Sequence, residues 1–178
     1  MFTKVSLGAA ALALASTAAA QSFTLNVTGL PSYLTSTLTG YTTLSYANST
    51  AYLGQISQQL YSEKLLLSSV GGYGLAFQSW HSAPHELQSM YINPNVTGPV
   101  LFTNPGGDVP AGFDAQGFST DNAAGALTNN GENNFIFCQD VEESSLNSWE
   151  LWWEGAGEPN GVSCLVDIDL IEVGECED

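Results

Sequence analysis

The sequence predicts an all-β chain: a single-domain antiparallel β-sandwich, jelly-roll-like, with seven to ten short strands and little helix. Three observations carry that expectation. Apolar and polar residues alternate with period two in short runs, most clearly at Phe23, Leu25 and Val27 and again at Trp149, Leu151 and Trp153, the mark of a strand with one face in a core. The runs are separated by Gly, Pro and Asn clusters, residues that turn a chain rather than extend it. No long segment combines a 3.6-residue period with capping residues, and no internal repeat or linker is visible.

The first twenty residues stand outside that fold. Lys4 gives a short positive region, Val5 to Ala15 an apolar one, and Ala18-Ala19-Ala20 the small residues a signal peptidase needs, so residues 1–20 read as a signal peptide cleaved before Gln21. The apolar run falls short of the roughly 20 residues that span a bilayer, and the charged C-terminus lacks the apolar tail of a GPI signal. The expected product is a secreted domain over 21–178, at a size where about 70% of the unfolded surface can be buried.

In order, Ser22 to Thr28 reads as a half-buried strand ended by Gly29-Leu30-Pro31. Tyr33 to Tyr46, rich in Thr, Ser and Tyr, favours strands and ordered loops over helix. Thr50 to Ser68 is ambiguous: Leu53, Ile56, Leu60 and Lys64 recur at helical spacing, but Gly54 interrupts and no capping box opens the run, so a β-hairpin is expected. Gly71 to Gly74 is a turn. Leu75 to Trp80 and Leu87 to Ile92 are short strands around a bend containing Pro84. Asn93 to Pro99 is a turn-rich link and Val100 to Thr103 a strand. Asn104 to Gly112 is a loop by composition. Ala115 to Ser119 and Ala124 to Thr128 are possible short strands, and Asn129 to Asn133 is a turn. Strand-like runs then follow at Phe135 to Cys138, Trp149 to Trp153 and Val162 to Val173.

Charge excludes more than it identifies. The chain carries 18 acidic residues, two lysines and no arginine. Loss of Lys4 with the signal peptide leaves Lys64 alone against those 18, a net charge of −17 with His neutral. Binding a nucleic acid by counterion release needs Lys and Arg at phosphates, and anionic lipid surfaces disfavour such a chain equally. All but Glu63 and Glu86 of the acids follow residue 100. This charge serves solubility and self-repulsion, or attracts a basic partner.

Asn26-Val27-Thr28, Asn48-Ser49-Thr50 and Asn95-Val96-Thr97 are N-glycan sequons. All lie away from the acidic half, which suggests one sugar-coated and one anionic surface. Of three possible pairings among Cys138, Cys164 and Cys176, Cys138 with Cys164 is favoured because both lie in strand-like runs that could be neighbours. Closing that loop of about 27 residues would stabilise by roughly 3.5 kcal/mol.

His81 and His85, with Glu86, offer two nitrogens and an oxygen to a metal, but Pro84 disturbs a regular helical pair and no further ligand is in sight, so no metal or other cofactor is expected. Asp140 to Glu143 and the pair Asp167 and Asp169 lack the calcium-loop pattern of an EF-hand and read as solvated acids. No nucleophile elbow or phosphate-binding glycine loop occurs. The strand Trp149 to Glu154 is the strongest binding candidate. With Trp149, Leu151 and Trp153 inward, Glu150, Trp152 and Glu154 share the other face, and an indole between carboxylates suits a sugar: the ring stacks and the carboxylates accept hydroxyl hydrogen bonds. A glycosidase would need a second carboxylate from another strand.

A strand ending Trp80-His81-Ser82, the Phe135-x-Phe137-Cys138 strand, Trp149-Glu150-Leu151-Trp152-Trp153, and Ser163-Cys164-x-Val166-Asp167-Ile168-Asp169-Leu170 follow one another in a distinctive order. In this the chain resembles a group of small secreted β-sandwich proteins of filamentous fungi with no assigned activity. The resemblance spans Gly72 to Val173 in short motifs and departs at Gln139-Asp140-Val141, where such proteins often place Asp-Trp. It implies a sandwich and a Cys138–Cys164 bridge, and no catalytic residues. The functional expectation is a non-enzymatic binding or structural protein of the cell wall or host interface, whose partner is a polysaccharide or a basic protein. Two alternatives are a carbohydrate-binding module using Glu150, Trp152 and Glu154, and a small carboxylate-dependent glycoside hydrolase.

Overall fold

The computed structural model describes residues 22–38, 40–56, 61–70, 74–80, 86–120, 122–140, 147–157 and 159–174. In chain order the elements are β1 (Ser22–Thr28), helix α1 (Ser32–Thr37), β2 (Ser45–Ala47), β3 (Thr50–Gly54), β4 (Glu63–Lys64), β5 (Leu67–Val70), β6 (Gly74–Phe77) and β7 (Gln88–Tyr91). Then come β8 (Gly98–Pro99), β9 (Leu101–Phe102), β10 (Phe118–Ser119), β11 (Thr128–Asn129), β12 (Phe135–Asp140), β13 (Ser148–Trp153), β14 (Val162–Leu165) and β15 (Asp169–Gly174). Ten of these strands have three residues or more, and five are two-residue ladders.

The fold is an antiparallel all-β sandwich. One half of its main ladder runs β14-β12-β13-β3 and the other β7-β6-β5-β1-β15, with β9 joining β3 to β7. β10 and β11 form a separate small ribbon. Residues of both halves belong to one buried cluster, including Leu25, Leu67, Phe77, Met90, Phe102, Phe137 and Leu151. A ladder whose two halves share one core must fold over on itself, which is how a sandwich buries two apolar faces at once.

Local chemistry explains several elements. β1 turns Phe23, Leu25 and Val27 inward, as its alternation predicts, and buries Thr24 as well. The β2–β3 hairpin closes through Asn48 and Ser49 with φ of 48° and 65°, the left-handed pair a two-residue primed turn requires. Within Thr50 to Ser68 the strands are Thr50–Gly54, Glu63–Lys64 and the start of Leu67–Val70, and they do not pair into the hairpin expected there. β3 pairs with β2, β13 and β9, while β4 also pairs with β2, because the tight turn lies upstream of the segment.

The Thr, Ser and Tyr content of Tyr33 to Tyr46 favours strands and ordered loops over helix, yet this stretch supplies part of α1. Pro31 precedes the helix with φ −55°, and its carbonyl accepts from the Leu34 and Thr35 amides. Leu34 and Leu38, one turn apart, are buried. That packing outweighs the weak helix propensity of Ser and Thr, whose hydroxyls fold back onto carbonyls of the same turn. The chain halves are also interleaved rather than segregated: β1 pairs with β15 and β3 with β13. The expected separation into a glycan surface and an anionic surface therefore does not follow, because register, not chain position, decides which residues are neighbours.

No helix among the described residues is long and apolar enough to cross a membrane.

Candidate functional site

β13 behaves as its alternation dictates. Trp149, Leu151 and Trp153 point inward, with 6%, 0% and 3% of their surface exposed. Glu150 and Trp152 occupy the outer face, half-buried. The ladder extends this outer face sideways, since residues paired in register point the same way. One row across it reads Cys164, Cys138, Glu150, Tyr52, Ser45 and Lys64. Cys138 and Cys164, directly opposite in this row, form the disulfide with their Cα atoms 4.1 Å apart, as close as a non-hydrogen-bonded antiparallel pair brings two residues.

Glu150 is held by neutral donors. The Trp152 indole N–H donates to Oε2 at 2.7 Å, and the Tyr52 hydroxyl donates to Oε1 at 3.4 Å. These groups line a shallow depression of about 280 Å³ that also includes Asp140 and Val162. Asp140, from the neighbouring strand β12, is thus the second carboxylate of this face, a partner that spacing along one strand cannot reveal.

Glu154 does not complete this group. It is exposed beyond the end of β13 and lines a different depression of about 480 Å³ with Asn133, Asn134, Asp167 and Asp169. There the Asn133 side-chain amide donates to Asp169 Oδ1 at 2.8 Å and to the Ile168 carbonyl at 3.2 Å, and Asp167 takes a left-handed φ of 58° in the turn into β15. Among the described residues no group of three or more His, Cys, Asp or Glu side chains is placed to hold a metal ion. His81 and His85 lie outside the described residues, as do Val141 to Glu143 and Cys176. Glu86 is described, exposed, and packed against Gly106.

The sequons differ in setting. Asn48 is exposed at the tip of the β2–β3 turn, and Asn95 is exposed in the turn after Pro94. Asn26 is half-buried in β1, and its Oδ1 accepts from the Thr43 hydroxyl at 2.8 Å.

A second surface was not singled out by the sequence. The run Leu75 to Trp80 read as one strand, but β6 ends at Phe77, so Gln78, Ser79 and Trp80 leave the sheet. Trp80 is 74% exposed, the most exposed large hydrophobic side chain among the described residues. Glu63 fixes this exit: its carboxylate accepts from the Ser79 hydroxyl, and its Oε2 from the Trp80 backbone N–H at 3.0 Å. The Tyr61 phenol beside it is pushed above its ordinary value of 10.0, by desolvation first and then by the charge of Glu63 and a hydrogen bond to it. The available signal was Glu63 itself, one of only two acids in the first hundred residues.

Comparison with protein-family models, with curated proteins and with solved structures found no match. The functional reading therefore rests on the residues and their geometry.

Proposed function

We propose that this chain is a secreted, acidic, N-glycosylated protein that acts by binding rather than by turnover, at a cell wall or host surface. The supporting observation is the braced outer face of β13. A disulfide, a tyrosine, a carboxylate and a half-exposed indole sit side by side on one sheet, and both oxygens of Glu150 already accept from neighbouring side chains. Such preorganisation serves recognition, because little side-chain freedom is left to lose on binding. The signal-peptide pattern of residues 1–20 and the disulfide both fit an oxidising extracellular compartment, as does the resemblance to small secreted fungal sandwich proteins. Strong negative charge favours a neutral polysaccharide or a basic protein over an anionic partner.

Two narrower readings attach to the same face. As a carbohydrate-binding module, Trp152 would stack on a sugar and Glu150 would orient a hydroxyl, with Glu154 belonging to a separate depression. As a glycoside hydrolase, Glu150 would act with Asp140, which shares its depression. Co-sedimentation of the secreted protein with insoluble wall polysaccharides, with reducing ends assayed in the same tubes, separates these readings. Retention without released reducing ends is expected. Sustained release that disappears in Glu150→Gln would establish the hydrolase instead. Retention by neither polysaccharide nor a basic protein would overturn the binding reading.

A further inference from the structure

The groove at the exit of β6 carries a more specific inference. Its wall combines Trp80, Leu66 and Leu87 with Ser22, Ser68 and Gln78, around a volume of about 430 Å³. That volume lies within the roughly 300–1,000 Å³ of small-molecule sites.

Three features define what fits. The first is a flat apolar platform. Trp80 is 74% and Leu87 43% exposed, an unfavourable arrangement for an indole unless something covers it. The platform is also anchored, because Glu63 binds both the Ser79 hydroxyl and the Trp80 backbone amide, and Ser79 itself is buried. The second is a rim of hydroxyl and amide groups: Ser22 and Ser68 hydrogen-bond to each other at 3.0 Å, and Gln78 is exposed beside them. The third is that none of the described residues lining the groove carries an ionisable side chain, in a chain of formal net charge −16. An anion is repelled by the surrounding field, and the Glu63 carboxylate that touches the groove at Ser79 is already engaged by that hydroxyl and by the Trp80 amide. An acyl chain would cover the indole but bring no hydrogen-bonding group to the serine and glutamine rim, where desolvating polar groups is costly. A pyranose has what the groove lacks: an apolar C–H face for the indole and equatorial hydroxyls for the rim.

We propose that this groove is a binding subsite for a neutral polysaccharide, with one sugar ring stacked on Trp80 and its hydroxyls bonded to Gln78 and Ser68. Glu63 acts as a positioning residue that holds the Trp80 backbone. The inference deepens the binding reading above and rests on it, while placing the contact on a different surface from Glu150 and Trp152.

Calorimetric titration of the intact secreted protein tests it, using cellohexaose, laminarihexaose, xylohexaose and chitohexaose as probes and hexagalacturonate as the anionic control. At least one neutral hexaose should bind with a dissociation constant of about 1 mM or tighter, and hexagalacturonate more weakly. Trp80→Ala should weaken that binding about tenfold or more with an unchanged melting temperature, since the side chain is exposed. Trp152→Ala should leave it unaltered. Glu63→Ala should also weaken binding, and Glu63→Gln, which keeps an acceptor for the Trp80 amide, should restore part of it. The proposal is overturned if no neutral hexaose binds at millimolar concentration, if Trp80→Ala binds like the wild type, or if hexagalacturonate binds best. Loss of affinity in Trp152→Ala alone would move the contact to the β13 face and leave the binding reading intact. Failure of the wild type to be retained by any wall material would remove both.

Discussion

Four tryptophans in this chain meet three environments. Trp149 and Trp153 lie in the core, Trp152 shares its indole N–H with Glu150, and Trp80 stands in solvent. Period-two alternation makes the inward pair legible in the sequence, because side chains on a strand must alternate faces. The exposure of Trp80 is not legible that way: the run Leu75 to Trp80 is apolar enough to read as strand throughout, and the Glu63 carboxylate, from another strand, holds its last residues outside the sheet. In acrylamide quenching, Trp80→Phe should therefore remove most of the easily quenched, red-shifted emission, while Trp152→Phe removes little; the reverse result would refute the assignment. At Leu151, which is fully buried, truncation to Ala should cost about 2–5 kcal/mol in a denaturant titration. Glu150→Gln should cost far less, since it keeps an acceptor on a half-exposed side chain.

At the scale of elements, pairing across the ladder creates what no single strand contains. Asp140 joins Glu150 only through the register of β12 with β13, and Glu154 leaves the group only because β13 ends before it. Sequence shows which residues share a face of one strand, but not which strand lies beside it. The helix α1 was hidden for a related reason: its support is the burial of Leu34 and Leu38 rather than the propensity of its Ser and Thr residues. The hairpin turn was hidden because Asn48-Ser49 read first as a glycan acceptor. The disulfide was legible, since two strand-like runs each offered one cysteine. Replacing both Cys138 and Cys164 with Ser should lower stability by up to roughly 3.5 kcal/mol, and non-reduced peptide mapping should recover the Cys138–Cys164 link. At the end of β3, Gly54 has φ 95° and a Cβ there would overlap the Asn147 carbonyl oxygen. Gly54→Ala should therefore pry β3 from β13 and lower the melting temperature; an unchanged melting temperature would mean that this junction is looser than described.

For the whole molecule, the interleaving of chain halves decides where modification and recognition can coexist. Asn95 lies against Ala156, whose amide donates to the Asn95 carbonyl at 3.2 Å, so one sequon borders the acidic half. With Asn48 and Asn95 exposed in turns and Asn26 tied to Thr43 within the sheet, enzymatic deglycosylation in ¹⁸O water should label Asn48 and Asn95 but not Asn26. The central claim is the proposal that the groove floored by Trp80, with no ionisable side chain among its described lining residues, binds neutral polysaccharide. Its most direct test is a ¹⁵N correlation spectrum of the indole region, assigned by Trp→Phe variants and titrated with the best-binding neutral hexaose. The Trp80 indole resonance should shift while those of Trp149, Trp152 and Trp153 stay in place. A titration that moves Trp152 alone, or leaves all four unmoved, would contradict the claim.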